Sequence, residues 1–305
     1  MTEYDTLILS GGSIKAICEL GALQYGYDEK LLDKVHTVVG ASAGSALGYL
    51  CIIGYTPIEL MVTLCSNPLF KDNLPFVNVM QLLDMNGEGA ISFSPFQELL
   101  EQLTIAKVGK LLTLESLYNK FNKRLVVSSY NYPHDIEYFT PESHPDLGCI
   151  MAIRMSCAIP FIFKMCTYMG SKYMDAALYE NFPVGYLKQD DTCQNVLGIL
   201  IEPFFYEDTD NSNIYHFLHN LLSIPMKTLS EHQLESILPT VNNIDVIRIN
   251  TDVHLLQYCL NSKEKLDLFS NGYSCAQTTF HPMEEVDDVV EEVEIPGDDE
   301  VTESD

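Results

Sequence analysis

Apolar positions along this 305-residue chain fall alternately into short continuous runs and into helical spacing. Thr6-Leu7-Ile8-Leu9 predicts a buried strand, and Ile17, Leu20 and Leu23, with small Ala16, Gly21 and Ala22, predict the helix after it. Val35, Val38 and Val39 predict a second strand, followed by a helical run of small residues. The longest apolar run, about Ala46 to Leu64, is interrupted by Gly54, Pro57 and Glu59, which predicts two consecutive buried helices instead of a membrane span. Ser94 as cap and Pro95 in the first position predict a helix to Leu103, and Thr113 opens another running from Leu117 to Phe121. Strands are predicted at Arg124–Ser129 and Ile136–Phe139, then a helix that ends at Pro160. Beyond it, Val196–Ile201 and Val246–Ile249 read as strands. Ile214–Leu222, Met226–Leu234 and Glu264–Phe269 read as helices, the last extending to about Thr278. The alternation predicts an α/β fold: a central, mostly parallel sheet with helices on both faces.

Charge narrows the partners. The formal charge of −26 argues against nucleic acid, whose phosphates need a basic surface, and against strong docking on anionic lipid. Twelve acidic residues and no Lys or Arg lie between Glu284 and Asp305, so the rest carries −14. Residues 284–305 read as a disordered, solvated tail and 1–283 as one domain, its motifs within 5–190. Nine scattered cysteines without a CxxC pair, no glycosylation sequon and a start that runs from Met-Thr-Glu-Tyr-Asp straight into a strand fit a cytoplasmic protein touching membranes peripherally.

Three segments carry candidate chemistry. Val38-Val39-Gly40-Ala41-Ser42-Ala43-Gly44-Ser45 reads G-x-S-x-G between a strand and a helix, the context of a nucleophile elbow. Gly40 and Gly44 let such a turn close, and the helix start favours developing negative charge. Ser10-Gly11-Gly12-Ser13-Ile14-Lys15-Ala16 also joins a strand to a helix, presenting backbone N–H groups as an anion site. It satisfies neither G-x-G-x-x-G nor the P-loop pattern, so nucleotide binding is the weaker choice; a tight βα turn and an oxyanion hole serving Ser42 both stay open. Asp84–Ile91 imitates the start of an EF-hand, but Pro95 stands where its bidentate Glu would be, so no calcium site is expected. His216 and His219 have helical i, i+3 spacing and no third ligand nearby, so no metal is expected.

The third segment, Tyr173-Met174-Asp175-Ala176-Ala177-Leu178 with Asn181-Phe182-Pro183, gains its meaning beside Met155-Ser156-Cys157-Ala158-Ile159-Pro160. Together with the glycine loop and the serine turn, these segments resemble the patatin-like phospholipase family in the same order over about three fifths of the chain. The resemblance implies a three-layer α/β/α fold with its elbow after an early strand. It also implies a lipid acyl hydrolase of phospholipase A type that needs no cofactor and meets its lipid at a membrane or micelle. Ser42 would be the nucleophile and Asp175 its direct base; Gly11, Gly12 and Ser13 would offer oxyanion N–H groups, and Lys15 fills the family's basic position. Ser13, Ala16 and Ala176 replace family glycines, a substitution that costs about 1–2 kcal/mol wherever φ is positive.

Two other readings stay open. One is a catalytically weak or inactive relative that binds lipid or a partner through its acidic tail. The other is an α/β-hydrolase triad completed by His216, His219, His232, His254 or His281. Pro68-Leu69-Phe70 and Leu74-Pro75-Phe76-Val77 read equally as a lid or as core.

Overall fold

A computed structural model describes residues 3–70, 92–160, 162–205, 214–253 and 260–282. Its middle layer is one eight-stranded sheet of β1 (Thr6–Leu9), β2 (Thr37–Ala41), β3 (Arg124–Tyr132), β4 (Asp135–Phe139), β5 (Cys166–Tyr168), β6 (Ser171–Met174), β7 (Asn195–Ile201) and β8 (Asn243–Ile249). The order is β5-β6-β3-β2-β1-β7-β8, with β4 paired to β3. Strands β3, β2, β1, β7 and β8 run parallel, while β4 and β6 pair antiparallel with β3 and β5 pairs antiparallel with β6. The fold is the expected three-layer α/β/α arrangement.

The helices are α1 (Ala16–Asp28), α2 (Ala43–Ile52), α3 (Pro57–Ser66), α4 (Ser94–Val108), α5 (Leu114–Phe121), α6 (Cys149–Ser156), α7 (Ala177–Glu180), α8 (Ile214–Ile237) and α9 (Ser262–Phe280). Alternation along the strands divides the core. Leu7, Leu9, Val38, Leu125 and Val127 face a large cluster built with α1, α2, α3, α5, α6 and α9. Ile8, Val39 and Val126 face a smaller cluster with Leu234 and Ile237 of α8 and a short 3₁₀ turn, Val184–Lys188. On the large face α1 and α9 touch backbone to backbone. A Cβ on Gly21 would lie 1.9 Å from the Phe269 carbonyl, and one on Gly272 1.8 Å from that of Cys18. Lys265 of α9 is buried and donates to the Leu64 and Phe70 carbonyls at 3.0 and 2.7 Å, tying α9 to the end of α3 and the turn after it.

Several elements differ from expectation. Ser94 is the first helical residue of α4, not its cap; Phe93 holds the cap position without a side-chain bond, and the helix runs on to a left-handed Gly109. The two helices expected around Pro225 are one helix, α8. Pro225 and Leu221, whose carbonyl loses its helical donor there, both face outward, where water can serve that carbonyl. Strand β3 continues past Ser129 to Tyr132 because β4 and β6 both pair with its end. The Asp84–Ile91 loop, Leu74–Val77 and the tail 284–305 lie outside the described residues. No helix among the described residues is long and apolar enough to cross a membrane, and the described cysteines are free thiols.

Candidate active site

The chain runs β1, β2, β3 outward on one side of β1 and returns as β7 and β8 on the other. Open α/β sheets form their binding crevice at such a reversal, beyond the carboxyl ends of the strands. Both predicted glycine turns stand there, one after β1 and one after β2.

Strand β3 explains how Ser42 meets Asp175 across 133 residues of chain. Ala41, the last residue of β2, pairs with Ser128, and Met174, the last residue of β6, pairs with Tyr130. Tyr130 and Asn131 also pair with β4 on their other edge, so β6 continues the edge of β3 that β2 leaves. Two strands thus end head to head against β3 with one residue, Ser129, between them, and each releases a site residue into the gap. The Ser129 hydroxyl donates to the Met174 carbonyl at 2.9 Å, holding the second strand end.

Ser42 adopts φ +50°, ψ −124°, the sharp conformation that lifts a serine side chain out of a strand-to-helix turn. Its neighbours hold it there. The Ser42 N–H donates to the Ser156 hydroxyl at 2.7 Å, and the Ser45 hydroxyl donates to the Ser42 carbonyl at 2.6 Å. A Cβ on Gly40 would sit 2.5 Å from the Ser45 Cα, and one on Gly44 2.4 Å from the Ser10 carbonyl oxygen. The two glycines are therefore required by close approach alone; neither has positive φ.

Asp175 is buried at the end of α6: its N–H donates to the Ala158 carbonyl at 2.9 Å. Oδ1 accepts the Ala177 N–H at 2.8 Å, whereas Oδ2 is buried without a formed hydrogen bond. Burial raises the carboxyl to about 6, against the smaller pull of the nearby Ser42 hydroxyl and the Ala177 N–H. Cys157 lies beside both groups, and burial, with the Asp175 charge adding to it, pushes its thiol up and leaves it protonated. The segment Ser156-Cys157-Ala158 thus fixes Ser42 through a hydroxyl and Asp175 through a carbonyl, a role that no local pattern in the sequence assigned to Ser156.

The glycine loop divides its predicted donors. The Gly11 N–H is not available for an oxyanion: it donates to the Asn181 carbonyl at 2.9 Å. That bond ties the loop to the Asn181-Phe182-Pro183 segment. The Gly12 and Ser13 N–H groups have no such partner among the described residues. Gly12 has φ −165°, and a Cβ there would meet Ile201 Cδ1 at 2.4 Å. Of the three replaced glycines only Ser13 carries the strain, at φ +52°; Ala16 and Ala176 are right-handed at φ −58° and −75°. Lys15 is buried, and desolvation lowers its ammonium to about 8. Behind the loop, buried Ser10 donates to Glu19 Oε1 at 2.9 Å and accepts the Ile201 N–H at 3.0 Å. Burial raises the Glu19 carboxyl well above its usual range.

Ser42 opens on a cavity of about 180 Å³ without a charged residue in its described lining. Ser13, Ile14, Leu47, Phe70, Phe96 and Phe163 are among the residues around it. Phe70, one of the proposed lid residues, therefore lines the cavity wall. No histidine lines this cavity or bonds Asp175 among the described residues, and His232 is exposed on α8. His281 lies beyond the end of α9. His254 falls outside the described residues.

A probable lipid hydrolase of Invertebrate iridescent virus 6 is 34% identical over 186 residues, which is 59% of this chain and 62% of that protein, so the match spans less than two thirds of it. An uncharacterized protein of Acanthamoeba polyphaga mimivirus is 22% identical over 284 residues, 89% of this chain and 92% of its own. Among solved structures, VipD of Legionella pneumophila superposes with a TM-score of 0.56 at 14% identity, covering 91% of this chain and 67% of that one. The type III effector protein ExoU of Pseudomonas aeruginosa superposes at 0.50 and 13% identity, covering 91% and 53%. These two likenesses describe the fold. Residues 7–188 match the patatin-like phospholipase family, and the chain belongs to that family.

Proposed function

We propose that the protein is a lipid acyl hydrolase working through an acyl-Ser42 intermediate. The observation that carries this reading is the buried, unbonded Asp175 Oδ2 beside a serine held in the elbow conformation at the mouth of an apolar cavity. Ser42 Oγ attacks the ester carbonyl carbon while its proton passes to Asp175. The tetrahedral oxyanion takes hydrogen bonds from the Gly12 and Ser13 N–H groups at the helix start. The carbon–oxygen ester bond then breaks, and Asp175 returns its proton to the departing alcohol. Water, deprotonated by the same carboxylate, hydrolyses the acyl-serine and releases the fatty acid. The uncharged cavity suits an acyl chain, whose burial is favoured by about 0.8 kcal/mol per methylene. Lys15 stands in the family's basic position close behind the loop, and the lipid is met at a membrane or micelle surface.

Hydrolysis of a short-chain nitrophenyl ester and of mixed phospholipid vesicles tests the reading. Ser42→Ala and Asp175→Asn should each lower turnover by about 10³-fold or more with folding retained. Full activity in either variant would remove the dyad. The absence of turnover in the parent protein as well, with no labelling of Ser42 by an activated-serine probe, would favour a lipid-binding relative.

A further inference from the structure

The apolar cavity beside Ser42 has a floor, and the helices that wall it give its depth. Ala43, Ala46, Leu47 and Leu50 line it from α2, following one helical face for two turns down from the serine. Phe96, Leu100 and Leu103 line it from α4 over about the same length. Four residues further along these two faces stand Gly54 and Lys107, which are not part of the lining. They close on each other instead: the Lys107 ammonium donates to the Gly54 carbonyl at 3.1 Å. Beside them the Tyr55 hydroxyl donates to the Leu103 carbonyl at 3.0 Å. The chain then turns into α3, whose Leu60 is buried at this end with Leu50 and Leu100. Phe70, well past Leu60 in the chain, is only partly buried. The end away from Ser42 is therefore sealed by packed leucines and, behind them, by hydrogen bonds between α4 and the loop after α2.

From Ser42 to Leu50 the helix rises about 12 Å, at about 1.5 Å per residue. An extended hydrocarbon advances about 1.3 Å per carbon, the projection of a carbon–carbon bond of about 1.52 Å at the tetrahedral angle. Helical side chains lean toward the amino end, so Leu50 closes the space at or above its own level. We propose that this cavity measures the acyl chain: it selects medium-chain acyl groups of about eight to ten carbons, with Leu50 as its floor. Each methylene up to that length leaves water for an apolar wall. A longer chain has to leave its end in water or displace a floor that is hydrogen-bonded from behind. The assignment rests on the Ser42 reading for the place of the acyl carbonyl, whereas the closed floor is independent of it.

Two measurements on the full chain test the floor. The first follows kcat/KM on a series of nitrophenyl esters from acetate to palmitate, dispersed in one detergent. The parent protein should peak at about eight to ten carbons and fall about fivefold or more by palmitate. Leu50→Ala opens the floor and should move the peak about two carbons longer, whereas Ala46→Leu fills the space about one turn below Ser42 and should move it to about four. Should Leu50→Ala fail to fold, Ala46→Leu, which removes no core atoms, carries the test. The second titrates straight-chain alcohols from butanol to tetradecanol into Ser42→Ala by calorimetry, where no turnover is needed and no ligand charge meets Asp175. Affinity should rise about fourfold per methylene, equivalent to about 0.8 kcal/mol, and stop rising at about ten carbons. Such a break supports the floor even if no ester is hydrolysed; in that case only the hydrolase reading falls. Turnover or affinity that climbs without a break through the longest chains overturns the chain-length assignment and leaves the hydrolase reading standing. So does a peak that both variants leave in place, or the failure of every alcohol to bind.

Discussion

Ser13 and Ser42 occupy matching places in two successive strand-turn-helix units, and their backbones share the same unusual region, φ +52° and +50°. Their surroundings differ. Ser42 is held by a hydrogen bond to Ser156, by Ser45 on its carbonyl and by two glycines whose absent side chains let α2 close onto β1 and β2. Ser13 opens a 3₁₀ turn whose cap, Gly12, makes no side-chain bond, and it stands where the family resemblance expects glycine. One left-handed serine is fixed by everything around it; the other is strain that its loop tolerates. A positive φ is therefore informative about function only together with the contacts that impose it.

Exchanging the two serines' roles would break the comparison most directly. Ser42→Ala should remove turnover by about 10³-fold or more, while Ser13→Ala, which keeps its backbone N–H, should stay within about tenfold of the parent in kcat on the nitrophenyl ester. Acidity gives the next effect. In the proposed mechanism Asp175 must be ionised to accept a proton, so kcat/KM should rise with pH and level off above about 6, falling about tenfold per unit below it. The same raised value has a stability consequence of opposite direction. Its folded-state pKa lies above the ordinary 3.8, so the stability contributed by the neutral carboxyl is full below about pH 4 and lost as pH rises through about 6. Asp175→Asn should therefore raise Tm more at pH 8 than at pH 4, as calorimetry would show.

Smaller effects sharpen the contrast. Gly44→Ala places a methyl against the Ser10 backbone and should cost about 1–3 kcal/mol in denaturant unfolding. Ser156→Ala releases the Ser42 N–H and should lower kcat by about tenfold with KM nearly constant, whereas a purely structural loss would lower Tm and leave kcat per folded molecule intact. Ser13→Gly should relieve about 1 kcal/mol of strain and raise Tm by about 2 °C, the smallest change of the set.

Much of this was legible in the residues because it is written locally. Gly40-Ala41-Ser42-Ala43-Gly44 after a valine strand specifies its own turn, and the β1 loop does the same. The pairing of Ser42 with Asp175 was reached only through resemblance, since the head-to-head ends of β2 and β6 on β3 are a long-range register that no local period contains. The use of the Gly11 N–H by Asn181 escaped notice for the same reason, as did the part of Ser156. The break expected between Leu222 and Met226, where Pro225 stands, is absent for a different reason. The helix tolerates Pro225 because the Leu221 carbonyl that loses its donor lies on an exposed face, where water can donate to it.

The glycine contact between α1 and α9 has a temporal meaning. Gly21 follows the glycine loop after β1 closely in the chain, yet the backbone it rests against belongs to Phe269 and Tyr273, far beyond the family-matched segment that ends at residue 188. The same late helix reaches Leu64 and Phe70 beside the cavity through Lys265. A ribosome therefore releases the serine, the aspartate and both glycine turns well before the helix that clamps them. A nascent chain would hold Ser42, Asp175 and both glycine turns and still lack the helix packed against α1, so the proposed lipid hydrolysis should begin only once α9 has left the ribosome.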